Sequence, residues 1–399
     1  MSNTSYKQTS SNSSMFEDNN TYPDLDSFDD LEVKEQLLRG IYSMGYEVPS
    51  AIQRKAIQPL IKGNDLVAQA QSGSGKTATF LIGAMERIDL SINQPQVLIL
   101  CPGRELAQQI YYNFECLNQY LKAKGTLIMG GTPTDENFRV LREGVQVIIG
   151  TPGRVFDMMK RSALKTKELK TFIMDEADEM LSKGFKDQIY DIFQFIPRET
   201  QIGVFSATMP EEALDLTKRF IPNAIRILVK AERVTVEGIK QYYLLIEDDL
   251  YKLETLYDLY ERLKISQTII FVNSIRTAES LRDKLEKENF VVSCIHGEMT
   301  QLQRDKIMMS FRCGESRVMI ATDVIARGID VQQVSIVINY DIPKFCETYV
   351  HRIGRSGRYG RKGIAINFVT DREFEQLERI QRFYKTTIEP LPETIKDLM

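Results

Sequence analysis

From Asn64 onward, short β-branched runs alternate with amphipathic stretches: DLVAQA, QVLILC, QVIIGT, TFIMDE and IGVFSA each give way to a turn or a helical pattern. Strands that read as near-continuous apolar runs are buried on both faces, and strands alternating with helical segments pair in parallel. After a polar, charged stretch at Lys230–Lys240 (KAERVTVEGIK) the series begins again with QYYLLI, TIIFVN, VVSCIH, RVMIAT, VSIVIN and IAINFV. The restart predicts two tandem α/β domains, each a mostly parallel sheet covered by helices on both faces. A length of 399 residues agrees, because a single hydrophobic core stops growing well below that size. The expected boundaries are an N-terminal domain over 24–229, a linker over 230–238 and a C-terminal domain over 239–399.

The chain opens with MSNTSYKQTSSNSS, in which ten of fourteen residues are Ser, Thr or Asn. Such a segment cannot bury enough apolar surface to offset its ordering entropy, so a disordered, acidic arm is expected over residues 1–23. The net charge of −4 belongs largely to this end: residues 1–32 hold one Lys against seven Asp or Glu. In the remainder, His351–Lys362 (HRIGRSGRYGRK) carries five Arg or Lys and no acid, a basic stretch that a solvated helix face would rarely leave unmixed. No stretch approaches the ~20 apolar residues a membrane-spanning helix needs, so no membrane partner is expected. The five cysteines form no C-x-x-C pair, and no apolar signal segment opens the sequence. A reducing compartment, cytoplasmic or nuclear, is the expectation.

Ligands of open α/β sheets sit at the carboxyl ends of strands, and the unusual residues of this chain fall there repeatedly. Ala70–Thr77 (AQSGSGKT) has the spacing of a phosphate-binding loop, in which glycines let backbone N–H groups converge on phosphate oxygens. Ala70 stands where the general pattern has Gly, and a Gly-rich turn ahead of a helix would share the spacing. In a phosphate loop, Lys76 neutralises the β and γ phosphates and Thr77 offers its hydroxyl to Mg²⁺. Asp175-Glu176-Ala177-Asp178 puts three carboxylates at the end of a buried run, which is costly without a cation or hydrogen bonds. Asp175 would hold Mg²⁺ and Glu176 would orient the attacking water. A helix N-terminus that welcomes acids is the other reading, and the phosphate loop upstream favours the metal. His296 and His351, the two histidines, have no Cys or carboxylate at ligand spacing, so hydrogen-bonding roles are expected of them.

The ordered set GYEVPSAIQ, AQSGSGKT, PGRELA, Gly130-Gly131, TPGR, DEAD, SAT, FVNS, HGEM, ATDVIARGID and HRIGRSGR resembles the DEAD-box RNA helicases, ATPases of superfamily 2 built from two RecA-like domains. Within them, LLRGIY, DEADEML with KGFKDQIYDI, ILVK, VEGIKQYY and RKGIAINFVT are similar to the eukaryotic initiation factor 4A subfamily, which includes the RNA clamp of the exon junction complex.

The resemblance implies site residues. Gln53 would read the adenine edge, Phe28 would stack on the base, and Ser72, Gly73, Ser74, Gly75, Lys76 and Thr77 would cradle the phosphates. Asp330 would touch the ribose, while Arg355 and Arg358 would act as arginine fingers from the second domain. Single-stranded RNA would be gripped by Pro102, Arg104, Gly130, Gly131, Thr151 and Arg154 on one side and Asn273, Thr322 and Arg327 on the other. Such contacts read phosphate and 2′-hydroxyl rather than sequence. Ser206 and Thr208 would be latched to Asp178, with His351 in the interdomain contact. The implied activity is ATP hydrolysis coupled to cleft closure on RNA and to local, non-processive unwinding of short duplexes in translation initiation, with ATP and Mg²⁺ as cofactors. The implied state is a monomer served by a protein scaffold. An ATP-gated clamp of exon-junction type in mRNA processing would carry the same catalytic set. Two departures stand out: Gly103 and Ser74 occupy positions where family members usually have Thr.

Overall fold

The computed structural model describes residues 16–181, 185–229, 239–262, 267–323, 334–356 and 363–392. Two sheets, one per half of the chain, carry the fold. The strands of the first lobe are β1 (Phe16–Asp18), β2 (Leu66–Gln69), β3 (Val97–Leu100), β4 (Gly125–Ile128), β5 (Val147–Gly150), β6 (Thr171–Asp175), β7 (Gln201–Ser206) and β8 (Ile225–Val229). Its helices include α1 (Glu35–Ser43), α2 (Ala51–Ile61), α3 (Lys76–Glu86), α4 (Arg104–Leu117), α5 (Thr134–Glu143) and α6 (Pro152–Lys160). They continue with α7 (Ala177–Met180), α8 (Lys186–Phe193) and α9 (Glu211–Phe220). The sheet order is β1-β8-β2-β7-β6-β3-β5-β4, parallel throughout except for β1.

The second lobe orders its strands β11-β12-β10-β13-β14-β9-β15, all parallel. These are β9 (Ile239–Ile246), β10 (Thr268–Phe271), β11 (Val292–Ile295), β12 (Val318–Ala321), β13 (Ile336–Asn339), β14 (Gly363–Thr370) and β15 (Glu389–Pro390). Helices α10 (Lys252–Arg262), α11 (Ile275–Lys287), α12 (Gln301–Arg312), α13 (Cys346–Ile353) and α14 (Phe374–Tyr384) pack around them.

Alternate residues of each central strand feed cores on opposite faces, as the continuous apolar runs require. Val97 and Ile99 of β3 join one first-lobe core while Leu98 and Leu100 join the other. In the second lobe Ile270 lies on one side of β10, and Ile269 and Phe271 on the other. Helix starts follow local chemistry. Ser50 and Gln53 form a capping box on α2, Thr300 and Gln303 another on α12, and Pro152 occupies the first turn of α6.

Two expectations need correction. The arm does not extend to residue 23: Phe16, Glu17 and Asp18 pair antiparallel with Val229, Leu228 and Ile227. Main-chain pairing against an open sheet edge needs little side-chain hydrophobicity, so composition understated the order of this segment. Residues 1–15 and the expected linker 230–238 lie outside the described residues. The second correction concerns strands that the sequence pattern passed over. In β4 three of four residues are only half-buried and the first is Gly, and β15 is two residues long.

Phe80 is fully buried and packs on Phe205 at 5.2 Å between ring centroids, inside the first-lobe core alone. Phe80→Ala should cost about 3–5 kcal/mol. Urea unfolding followed by lobe-specific probes should report that loss in the first lobe and leave the second-lobe transition in place.

Candidate active site between the lobes

Gly75 ends the phosphate loop in a left-handed conformation (φ 97°) and serves as N-cap of α3. A side chain there would run into the Gln53 amide, 2.7 Å from the position of a Cβ. Only Gly meets both demands. Ser50 Oγ donates to the Ser74 carbonyl at 2.7 Å, and Gln53 Oε1 accepts the Ser50 N–H at 2.7 Å. Gln53 is thus buried against the loop by the same capping box that starts its helix. Phe28 is not available to stack on a base: its ring is completely enclosed in the first-lobe core. The half-buried ring beside it is Tyr46, 6.4 Å away between centroids, so Tyr46 is the aromatic with an accessible face in this corner.

Lys76 lies buried in the loop, its Nζ donating to the carbonyls of Ala70 (2.6 Å) and Gln71 (3.1 Å). Burial holds its pKa below the usual lysine value, against the pull of Glu176 and Asp175. Those acids follow β6 directly. Asp175 is buried, and its carboxyl is pushed up to about 7, first by burial and next by the Glu176 charge. Glu176 adopts a left-handed backbone (φ 53°), a conformation that costs on the order of 1–3 kcal/mol in a non-Gly residue. The Glu176 N–H donates to Asp175 Oδ1 at 3.0 Å, which helps hold that turn. A divalent cation suits this donor set, because its charge would offset both the burial and the Glu176 repulsion that raise Asp175. Thr77, half-buried on the first turn of α3, brings a hydroxyl to the same loop.

The second lobe completes the pocket. His351, wholly buried near the end of α13, places Nε2 3.1 Å from Asp178 Oδ2 and Nδ1 3.9 Å from Glu176 Oε2. Asp178 Oδ2 also accepts the Thr208 hydroxyl. Donor atoms of Glu176, Asp178 and His351 lie within 4.8 Å of one another. With Asp178 already bonded to Thr208 and His351, the cluster is a hydrogen-bonded latch. Ser206 is not part of it. Its hydroxyl is buried without a hydrogen-bond partner among the described residues, while its carbonyl accepts the Ala70 N–H at 3.1 Å and so ties β7 to the phosphate loop. The parallel register of β7 with β2 directs the Ser206 backbone, rather than its side chain, to this junction. Arg355 donates to the His351 carbonyl (3.1 Å) and reaches Ser72 Oγ at 3.5 Å. Next to it Gly354 leaves only 3.3 Å between a would-be Cβ and Ser72 Cβ. Arg358, Asp330 and Arg327 lie outside the described residues.

The nucleic-acid candidates occupy the other half of the same sheet edge, at the ends of β3, β4 and β5. Pro102 and Arg104 follow β3, Gly130 and Gly131 follow β4, and Thr151 follows β5 as N-cap of α6. The Arg104 guanidinium lies over the glycine pair, so close that a Cβ on Gly131 would sit 2.6 Å from it. Arg154 donates to the Thr132 carbonyl (3.0 Å) and Asn137 Oδ1 (2.9 Å), which braces this glycine loop from beneath. In the second lobe, Thr322 keeps a buried hydroxyl without a hydrogen-bond partner among the described residues. The Asn273 amide is anchored within the lobe, Oδ1 accepting Arg352 at 2.8 Å and Nδ2 donating to the Ile342 carbonyl at 2.8 Å, which leaves the second N–H of Nδ2 for a further partner.

Two arrangements escaped the sequence reading. Arg352 has no exposed surface and holds Asp323 (2.6 Å), Asn339 (3.3 Å), the Asp341 carbonyl (2.7 Å) and Asn273, with its guanidinium 5.3 Å from the Phe271 ring centroid. Its signal was a second arginine inside HRIGR. Across the cleft, Arg304 pairs with Glu105 at 3.1 Å and Gln301 reaches Glu105 and Arg104 at 3.4 Å each. The Q-x-x-R spacing at the start of α12 aligns Gln301 and Arg304 on one face.

Gly103 has an extended backbone (φ −114°) and open space, with only Glu105 Oε2 near a would-be Cβ, at 3.8 Å. Gly103→Thr should fold normally, leave basal ATPase unchanged and raise RNA affinity modestly, as measured by anisotropy of a labelled oligonucleotide.

Residues 50–216 match the model of the DEAD/DEAH box helicase family, and residues 251–360 match the helicase conserved C-terminal domain. An ATP-dependent RNA helicase eIF4A of Mycosarcoma maydis is 55% identical over 94% of this chain and 91% of its own length. Eukaryotic initiation factor 4A-3 of Arabidopsis thaliana is 54% identical over 94% and 90%. Among solved structures, S. cerevisiae Dbp5 bound to RNA and ADP BeF3 superposes with a TM-score of 0.88 at 38% identity, over 94% of this chain and 97% of that one. With both helicase domains matched, and the phosphate loop, the carboxylates after β6, His351 and Arg355 meeting at one cleft, the chain belongs to the DEAD-box ATP-dependent RNA helicases, in the initiation factor 4A subfamily.

Proposed function

We propose that this helicase works by closing its lobes around ATP and single-stranded RNA, bending the strand so that a short duplex cannot persist beside it, and reopening after hydrolysis. The observation that carries the reading is the pair of contacts by which the second lobe reaches the first lobe's catalytic groups: Arg355 to Ser72 and His351 to Asp178. The superposition with Dbp5, whose structure holds RNA and ADP BeF3, supports the same arrangement.

In this scheme Gln53 recognises adenine, Tyr46 lies against it, and Ser72, Gly73, Ser74, Gly75, Lys76 and Thr77 bind the phosphates. Asp175 and Thr77 would hold Mg²⁺, which when bound neutralises phosphate charge. Glu176 orients the attacking water and takes its proton. Arg355 faces the γ phosphate from the second lobe, and the family resemblance gives Arg358 the part of a second arginine finger and Asp330 that of a ribose contact. Arg104, Gly130, Gly131 and Thr151, with Asn273, Thr322 and Arg327, hold the RNA backbone, while Arg154 braces the glycine loop. Opening a few base pairs at roughly 1.4 kcal/mol each, on a DNA scale, lies within reach of differential binding but not of long travel. The enzyme acts as a monomer on cytoplasmic or nuclear RNA, and its pathway is translation initiation, with a scaffold protein bringing it to the message.

The first test is ATP turnover with and without single-stranded RNA, and stimulation is expected. Arg355→Lys should lower RNA-stimulated kcat by ~10³ with RNA binding retained. Glu176→Gln should hold ATP and RNA together, and rapid RNA release by that variant would contradict the scheme. Arg304→Ala should weaken RNA-dependent stimulation several-fold without changing ATP binding in the absence of RNA. Affinity capture distinguishes pathways: a translation scaffold with cap-binding protein supports initiation, and splicing-deposited core proteins would move the enzyme to an exon-junction role.

A further inference from the structure

Gln53 is followed immediately by the two residues that receive the N-terminal segment. The Leu25 N–H donates to the Arg54 carbonyl at 2.9 Å, and Asn20 Nδ2 donates to the Lys55 carbonyl at 2.9 Å. Lys55 Nζ sits between two carboxylates of the same segment, 3.1 Å from Asp18 and 3.0 Å from Asp24, and Arg54 pairs with Asp26. The Lys55 and Asp18 side chains are only 18% and 16% exposed, so this pair is less screened than an ordinary surface bridge. At its other end the segment is fastened to β8: β1 pairs with Ile227–Val229, and Asn19 exchanges hydrogen bonds with the Arg226 backbone at 2.6 and 3.3 Å. Tyr22 adds a bond to Asn64, just before β2.

Covering the β8 edge would explain β1 but not the contacts that follow it. Those contacts converge on the turn of α2 that carries Gln53, whose amide is confined between Ser50 and the phosphate loop. A small rotation of that turn would move the amide along the purine edge while leaving the phosphate contacts of the loop in place.

We propose that residues 18–25 form a strap that sets the position of Gln53, so that the enzyme's choice of adenine over guanine depends on its N-terminal segment, with Lys55 and Asp18 as positioning residues. The inference rests on the reading of Gln53 as the adenine-recognition group.

The test uses the full chain and two fluorescent probes, mant-ADP and mant-GDP, without RNA, so that neither hydrolysis nor lobe closure enters the measurement. Wild type should prefer mant-ADP. Lys55→Met should weaken mant-ADP by about three- to tenfold, the worth of one hydrogen bond, and leave mant-GDP unchanged. Lys55→Arg should restore the preference. Asp18→Lys, which changes only the strap, should give the same selective loss and serves if Lys55→Met folds poorly. Variants that melt earlier yet keep the wild-type ADP-to-GDP ratio would reduce the strap to an edge cover and overturn the inference. A wild-type chain that binds both nucleotides equally would remove the Gln53 reading and the strap inference with it.

Discussion

The hydrogen bond between His351 and Asp178 is the interaction on which the rest of the site depends, because its two partners come from different lobes and both are buried. It joins the helix just before Arg355 to the turn carrying Glu176, while Thr208 holds the same carboxylate from a third direction. Away from water such a bond is strong when made and costly when half-made. The pocket is therefore complete only where both lobes contribute.

The first sheet sets two groups of candidate residues side by side. Its carboxyl edge divides along the order β2-β7-β6 and β3-β5-β4. The first group ends in the phosphate loop, the carboxylates and the Ser206–Thr208 segment, and the second ends in Arg104, the glycine pair and Thr151. Since β6 and β3 are direct neighbours, the two groups share a rigid foundation. The second lobe meets both halves, with Arg355, just past α13, reaching Ser72 on one side and α12 reaching Glu105 on the other.

Much of this was legible in the sequence, and the failures have physical causes. The central strands declared themselves as apolar runs because burial on both faces leaves no room for polar alternation. The phosphate loop and the carboxylates were legible because their chemistry demands particular residues at fixed spacing. Phe28 was misplaced because an aromatic residue upstream of a nucleotide motif looks the same in sequence whether it faces a base or the core. Ser206 was misassigned because composition cannot tell a hydroxyl that joins the latch from one turned away from it. β1 was hidden because edge pairing is a main-chain interaction. Arg352 and the Glu105–Arg304 contact join residues far apart in sequence, and only the folded chain brings them together.

Arg352 has a consequence for how the second lobe meets a polymer. One inaccessible guanidinium is shared by the strand ends at Asn273, Asp323 and Asn339 and by the Asp341 backbone, so these loops cannot adjust separately to an incoming strand. The lobe offers a preset mould rather than a set of pliant fingers. Under the proposed RNA reading, a backbone of the right curvature would be accepted whole and one of the wrong curvature refused whole, whatever bases it carries.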